Sequence, residues 1–247
     1  MKSNRFLIAL AGVALLGGAC DRDEPKPPAT TGSRAANDAG APGATSRAIK
    51  PTEPVTATGP RVVFLGDSIT AGFGLDAEQA YPALVGQALA AEGLPARIVN
   101  AGVSGDTTAG GLRRLDWLLR QKPDVVVVGL GGNDGLRGLD LKSSEANLRE
   151  IVSKSRAAGA DVLLLGMLVP PNYGPEYAGQ FKDLYPRLAR ELGVPLVPFL
   201  LEGVGGDPRL NLPDGIHPTP EGHQIVARNV LGAVRPLVSR RAERPSR

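Results

Sequence analysis

Only two histidines occur in the chain, His217 and His223, so chemistry that needs an imidazole base has two addresses. A hydroxyl nucleophile gives its proton to such a base, and the base needs an acid to orient it. His217 has Asp214 three residues before it in Asp214-Gly215-Ile216-His217-Pro218. In so Pro/Gly-rich a loop both side chains can meet while the second ring nitrogen faces outward. His223 has no equally placed carboxylate and falls within a helical stretch, which predicts a helix or surface histidine. Two serines compete as nucleophile: Ser68 in Gly66-Asp67-Ser68-Ile69-Thr70 and Ser104 in Val103-Ser104-Gly105-Asp106. Ser68 follows a strand directly, where a strand-to-helix turn can expose its hydroxyl. The residues alone favour it and leave Ser104 open.

These loops need elements to position them. Short apolar runs at Val62 to Leu65, Val125 to Leu130, Val162 to Leu168 and Leu196 to Phe199 read as strands, and Arg97 to Asn100 is a second short strand candidate. Val125 to Leu130 is apolar on both faces, as a central parallel strand should be. Between them, Tyr81, Leu84, Val85 and Leu89 recur at helical spacing, as do Leu112, Leu115 and Leu119, then Leu148, Ile151 and Val152, then Phe181, Leu184, Tyr185, Leu188 and Leu192. Thr219-Pro220 opens a last helix, with Thr as N-cap and Pro in the first position. Strands alternating with helices imply right-handed crossovers and a parallel sheet covered on both faces. The expected fold is a five-stranded, three-layer α/β/α sandwich over residues 61–238. In such sheets sites form beyond the carboxyl ends of the strands, and each of the first three strands is followed there by an unusual loop: Gly66-Asp67-Ser68, Asn100 to Thr107, and Gly131-Gly132-Asn133-Asp134.

Gly66-Asp67-Ser68, Gly105, Gly131-Gly132-Asn133-Asp134 and Asp214-Gly215-Ile216-His217 resemble, in order, the four motif blocks of the SGNH/GDSL hydrolases. The likeness covers roughly residues 61–238 and is nearest the bacterial arylesterase, acyl-CoA thioesterase I and lysophospholipase branch, which Val169-Pro170-Pro171-Asn172-Tyr173-Gly174 also resembles. The resemblance implies a flavodoxin-like fold and a serine esterase acting on carboxylic esters or thioesters. Ser68 would attack the acyl carbonyl, His217 take its proton and Asp214 hold the imidazole. The backbone N–H groups of Ser68 and Gly105 and the side-chain amide of Asn133 would bind the oxyanion. No metal or organic cofactor is implied. The same motifs also serve carbohydrate O-deacetylases, and a lipid-anchored binding module without turnover is a third reading.

Other features read more plainly. Asp67, Asp106 and Asp134 are short carboxylates in turns and are expected to bond local backbone N–H groups. The histidines stand six positions apart, at the outer limit of the usual spacing of metal ligands, and no metal is expected. Gly72-Phe73-Gly74-Leu75-Asp76-Ala77 fits a dinucleotide fingerprint, but it lies beyond the strand rather than directly after it. The Gly-x-Ser-x-Gly elbow of α/β-hydrolases is absent. Trp117 is expected to pack one side of its helix. Tyr173 and Tyr177, after the fourth strand, are candidates to wall an acyl groove, with surface packing an equal reading.

With 42% hydrophobic and 21% charged residues, the 247-residue chain suits one domain plus extra chain. Lys2 and Arg5, the apolar run Phe6 to Leu16, and Gly17-Gly18-Ala19 before Cys20 have the layout of an export signal over residues 1–20. Cys20, the single cysteine, resembles the lipidated residue of a bacterial lipobox, although Leu16 stands four residues before it and Gly17 holds the usual leucine position. The expected address is therefore the periplasm or a bacterial membrane, with that anchor the only membrane contact. Residues 21–60 are rich in Pro, Ala, Thr and Gly and predict a disordered linker. A coil of about forty residues reaches roughly 35 Å. The net charge of +3 drops when Lys2 and Arg5 are removed, and the arginines of residues 239–247 read as a frayed tail. No nucleic-acid partner is indicated. The expected partner is a small-molecule or single-chain lipid acyl ester.

Overall fold

The computed structural model describes residues 59–243. The expected export signal, Cys20 and nearly all of the expected linker lie outside the described residues. Five strands form one parallel sheet: β1 (Arg61–Gly66), β2 (Arg97–Gly102), β3 (Val125–Gly129), β4 (Asp161–Leu165) and β5 (Leu196–Val197), in the order β2-β1-β3-β4-β5. Val125, Val126, Val127 and Val128 are all buried, as the unbroken apolar run required. β5 is only two residues long because Pro195 and Pro198 flank it and supply no N–H to a ladder. β4 ends at Leu165, earlier than expected. Met167 and Leu168 leave the sheet and turn towards a cavity.

Among the described residues seven α-helices accompany the sheet: α1 (Ser68–Ala71), α2 (Tyr81–Ala91), α3 (Thr108–Leu119), α4 (Gly132–Leu136), α5 (Leu141–Ala157), α6 (Pro175–Leu192) and α7 (Pro220–Ala242). α2 and α7 pack together over one face, and α5 packs between α3 and α6 over the other. The short helices α1 and α4 were not expected. Neither has room for a helical periodicity, and each is a single turn at a strand end. Thr219 caps α7 as expected, its hydroxyl accepting from the Gly222 N–H at 3.2 Å.

The expected basic tail is shorter than residues 239–247. α7 runs on to Ala242, and Arg241 pins its end to the sheet. The guanidinium holds the Asp161 carboxylate at 2.8 Å and the Gly159 carbonyl at 2.8 Å.

What positions the site is strand register. β1 lies between β2 and β3, and Gly66 is level with Gly102 on one side and Gly129 on the other. The three loops that follow therefore start at the same height. The chain also reverses its direction of travel across the sheet between β1 and β3, which opens a crevice at the carboxyl edge.

Candidate active site

Directly after β1 the chain turns into α1, with Asp67 as N-cap and Ser68 as the first helical residue. The Asp67 carboxylate accepts from the Ile69 N–H at 3.1 Å. As the first residue of a helix, Ser68 keeps an N–H with no intrahelical acceptor. Its hydroxyl lies at the wall of a cavity of about 680 Å³.

The histidine arrives from the far end of the chain on a braced loop. Leu212 donates to the His217 carbonyl at 2.7 Å, Thr219 donates to the Leu210 carbonyl at 2.9 Å, and Asn211 and Pro218 form an antiparallel bridge. Asp214 sits at the tip. One of its oxygens accepts from the Ile216 and His217 N–H groups at 2.9 and 3.0 Å, and the other lies 2.8 Å from His217 Nδ1. The His217 N–H and side chain, with the Ile216 N–H, hold the Asp214 carboxyl down to about 2. An ionised carboxylate can only accept, so Nδ1 carries the proton and Nε2 offers its lone pair. That lone pair faces Ser68 Oγ at 2.8 Å. The structure thus brings together Ser68, His217 and Asp214 in one continuous relay. His217 pairs with Ser68 and not with Ser104, which lies elsewhere on the cavity wall.

Across the cavity, Val103 to Asp106 form a turn closed by the Asp106 N–H donating to the Val103 carbonyl at 3.0 Å. Gly105 has φ +79°, the third position of a type II turn, which glycine fills without strain. Its N–H donates to no protein acceptor among the described residues. Asn133 comes from α4, and its amide nitrogen donates one hydrogen to the Asp106 carbonyl at 2.9 Å, leaving a second to point elsewhere. The Ser68 and Gly105 N–H groups and the Asn133 amide are therefore donors on the border of one cavity. Gly131, φ +111°, lets the chain pass under Tyr185, whose hydroxyl donates to the Leu130 carbonyl at 2.8 Å. A Cβ at 131 would stand 2.1 Å from the Tyr185 hydroxyl oxygen.

Of the three turn aspartates only Asp67 bonds a local N–H group. Asp67 meets the expectation through Ile69, but it is also buried against the cavity. Burial, offset by the Ile69 N–H and the His217 charge, lifts its carboxyl to about 6. Asp106 pairs with Arg114 at 2.7 Å. Asp134 reaches across elements, accepting from the Thr108 N–H and hydroxyl at 2.9 and 2.6 Å and from the Ser144 hydroxyl at 2.9 Å. It ties α4 to α3 and α5, contacts that no local pattern announces.

Several expectations need correction. Tyr173 and Tyr177 do not wall the cavity. Their hydroxyls donate to the Leu136 and Leu139 carbonyls at 2.7 and 3.1 Å, bracing the end of α4 and the turn after it. The apolar wall comes instead from Ile69, Phe73, Leu136, Met167, Leu168 and Ile216. His223 is in a helix but not on the surface. It is 1% exposed, and its Nδ1 accepts from the Tyr81 N–H at 3.0 Å. Burial holds its imidazole down to about 4. Trp117 is 51% exposed and packs into no core. The glycine-rich stretch from Gly72 turns Phe73 back over the site, where its ring lies 4.5 Å from that of His217. Phe73 is the residue that reading by motif missed, and its flanking glycines, both with positive φ, were the available signal.

Comparison with known proteins gives the family. The model of the GDSL-like lipase/acylhydrolase family matches residues 64–225. Esterase TesA of Pseudomonas aeruginosa is 48% identical over 178 residues, 72% of this chain and 89% of that one. The thioesterase 1/protease 1/lysophospholipase L1 of Escherichia coli K12 is 41% identical over 72% of this chain and 85% of its own. Among solved structures, the psychrotrophic esterase EstA of Pseudoalteromonas, inhibited by monoethylphosphonate, superposes with a TM-score of 0.69. It is 32% identical, covering 73% of this chain and 99% of that one.

Proposed function

The chain belongs to the GDSL-like lipase/acylhydrolase family and is a carboxylic ester hydrolase, and on that premise we propose that Ser68, His217 and Asp214 are its catalytic residues. The observation that carries this reading is the unbroken relay from Asp214 through His217 to Ser68 Oγ, each link 2.8 Å. Ser68 Oγ attacks the acyl carbon while its proton passes to His217 Nε2, and Asp214 stabilises the imidazolium that forms. The tetrahedral oxyanion is held by the Ser68 and Gly105 N–H groups and the second hydrogen of the Asn133 amide, preorganised donors worth about 3–4 kcal/mol each. His217 then protonates the leaving oxygen or sulfur, leaving an acyl group on Ser68. Water, deprotonated by the same imidazole, releases the acid.

The substrates of this reading are small or single-chain acyl esters. The support is the wall of Phe73, Leu136, Leu168 and Ile216, which gives an acyl chain an apolar surface beside the nucleophile. The full-length protein, assayed on p-nitrophenyl esters from acetate to palmitate, should hydrolyse some of them, and Ser68→Ala should hydrolyse none. Retained hydrolysis in that variant would transfer the role to Ser104. Release of acetate from acetylated glycans without ester turnover would favour a deacetylase.

Export and lipidation at Cys20 are part of the same reading and are supported by the basic, apolar and small-residue order of residues 1–20. The protein would act in the periplasm or at a bacterial membrane, tethered by the segment before Arg61. Intact mass of the membrane-bound protein should show a lipid on a new N-terminal Cys20. An unmodified cysteine would overturn the anchor.

A further inference from the structure

We propose that Arg114 is a positioning residue that sets the oxyanion donors against the nucleophile, an inference that rests on the roles given above to Ser68, Gly105 and Asn133. Arg114 lies midway along α3 and reaches back to the carboxyl edge of the sheet. Its Nε donates to the Asp106 carboxylate at 2.7 Å, and its Nη2 donates to the Gly66 carbonyl at 2.9 Å. The pair is largely enclosed, the two side chains being 23% and 12% exposed.

Each acceptor matters by its place in the chain. Gly66 ends β1, two residues before Ser68, and its carbonyl also accepts from the Val103 N–H at 3.0 Å. Asp106 closes the turn that carries Gly105. The carbonyl of the same Asp106 accepts from the Asn133 amide, so that residue fixes where the amide's remaining hydrogen points. All three oxyanion donors are therefore referenced to one ion pair: Ser68 through Gly66, Gly105 through the turn, and Asn133 through the Asp106 carbonyl. A guanidinium suits this task because its rigid fork meets two acceptors at once, which a single ammonium nitrogen cannot do in the same geometry. The room for the carboxylate is provided by Gly110, where a Cβ would fall 1.7 Å from Asp106 Oδ1.

The role is tested by kinetics on the full-length protein with a p-nitrophenyl ester. Because donors to the oxyanion act in the transition state and not on the bound ester, Arg114→Ala should lower kcat about 10- to 100-fold with KM within about twofold. Millimolar guanidinium should restore part of that loss, and urea at the same concentration should not. Asn133→Ala alone should lose about 10²–10³-fold and gain nothing from guanidinium. In the double variant the two losses should fall short of their product, since both act through the Asp106 turn. Wild-type kcat in Arg114→Ala would overturn the proposal, and so would losses that multiply and ignore guanidinium. Should Arg114→Ala fail to fold, Arg114→Lys keeps the charge and should still show a kcat loss at unchanged KM; wild-type kcat there would overturn the proposal equally. Hydrolysis surviving in Ser68→Ala would instead remove the reading on which the proposal rests.

Discussion

His217 and His223 stand six residues apart, yet their surroundings prepare them for opposite fates. His217 sits in a loop whose hydrogen bonds are almost all local: a carboxylate three residues back, two N–H groups held by that carboxylate, and Ser68 as the one long-range partner. His223 lies inside α7, buried, with Nδ1 receiving the Tyr81 N–H from the other side of the sequence. The first has an anion ready for the charge it must acquire. The second has none in reach among the described residues, and burial penalises any charge it takes. An imidazole becomes a base or a piece of the core according to whether its second nitrogen meets a carboxylate or a backbone donor.

The sharpest way to test that contrast is to remove each ring. His217→Ala should lower kcat by about 10⁴- to 10⁶-fold with little change in unfolding midpoint, because the site loop is held by its backbone. His223→Asn keeps an acceptor near the Tyr81 N–H and should keep kcat within about threefold, since nothing that reacts is touched. Steady-state assays and urea unfolding on both variants check this. A large kcat loss in His223→Asn would break the distinction.

The same contrast explains what was legible in the sequence. Strand and helix order, the five-stranded sheet and the loop partnership of Asp214 with His217 all depend on neighbours in sequence or on apolar periodicity, and these were readable. Ser68 could be preferred over Ser104 from its place after β1, but the residues alone did not decide it. The burial of His223, the long reach of Asp134 and the covering position of Phe73 depend on contacts between distant segments. A single chain carries no local signature of those. Tyr173 and Tyr177 show the converse error: they flank the right loop, but their hydroxyls turn to the carbonyls of Leu136 and Leu139, in α4 and just after it.

Acid should separate the two regions next. In the folded protein His223 takes its proton at about 4, against 6.5 for an unburied imidazole. The unfolded chain binds that proton first, so this group's stability is full above pH 6.5 and is lost as pH falls towards 4, by about 3 kcal/mol. Asp67 works the other way. Its carboxyl, raised from 3.8 to about 6, binds a proton first in the folded state, so acidification between those values stabilises the fold by about 3 kcal/mol. The two nearly cancel in the natural protein. Urea midpoints at pH 7.5 and 4.5 should therefore diverge when either is removed. Asp67→Asn, which keeps an acceptor for the Ile69 N–H, should be more stable than the natural protein at pH 7.5 and lose that advantage at pH 4.5. His223→Asn should gain relative stability at pH 4.5 only. Parallel pH profiles for all three proteins would refute the assignment of these two groups.

The smallest effect concerns the aromatic neighbour of each histidine. Tyr81 lies nearly parallel to His223 at 6.2 Å, beside a ring that stays neutral, and its hydroxyl is engaged with Thr70 at 2.9 Å. Phe73 lies 4.5 Å from His217 at a tilt of 35° and is half-exposed. When His217 accepts the Ser68 proton it becomes a cation against that ring face, a contact worth about 0.5–1 kcal/mol at an exposed site. Phe73→Leu keeps an apolar wall for the acyl group and removes only the ring. It should lower kcat by about two- to fivefold and leave KM for a short-chain ester nearly unchanged, whereas Phe73→Trp should keep kcat. A rise in KM with kcat intact would mean that Phe73 serves the bound ester and not the imidazolium. The apolar cover over His217 would then be part of the acyl wall alone.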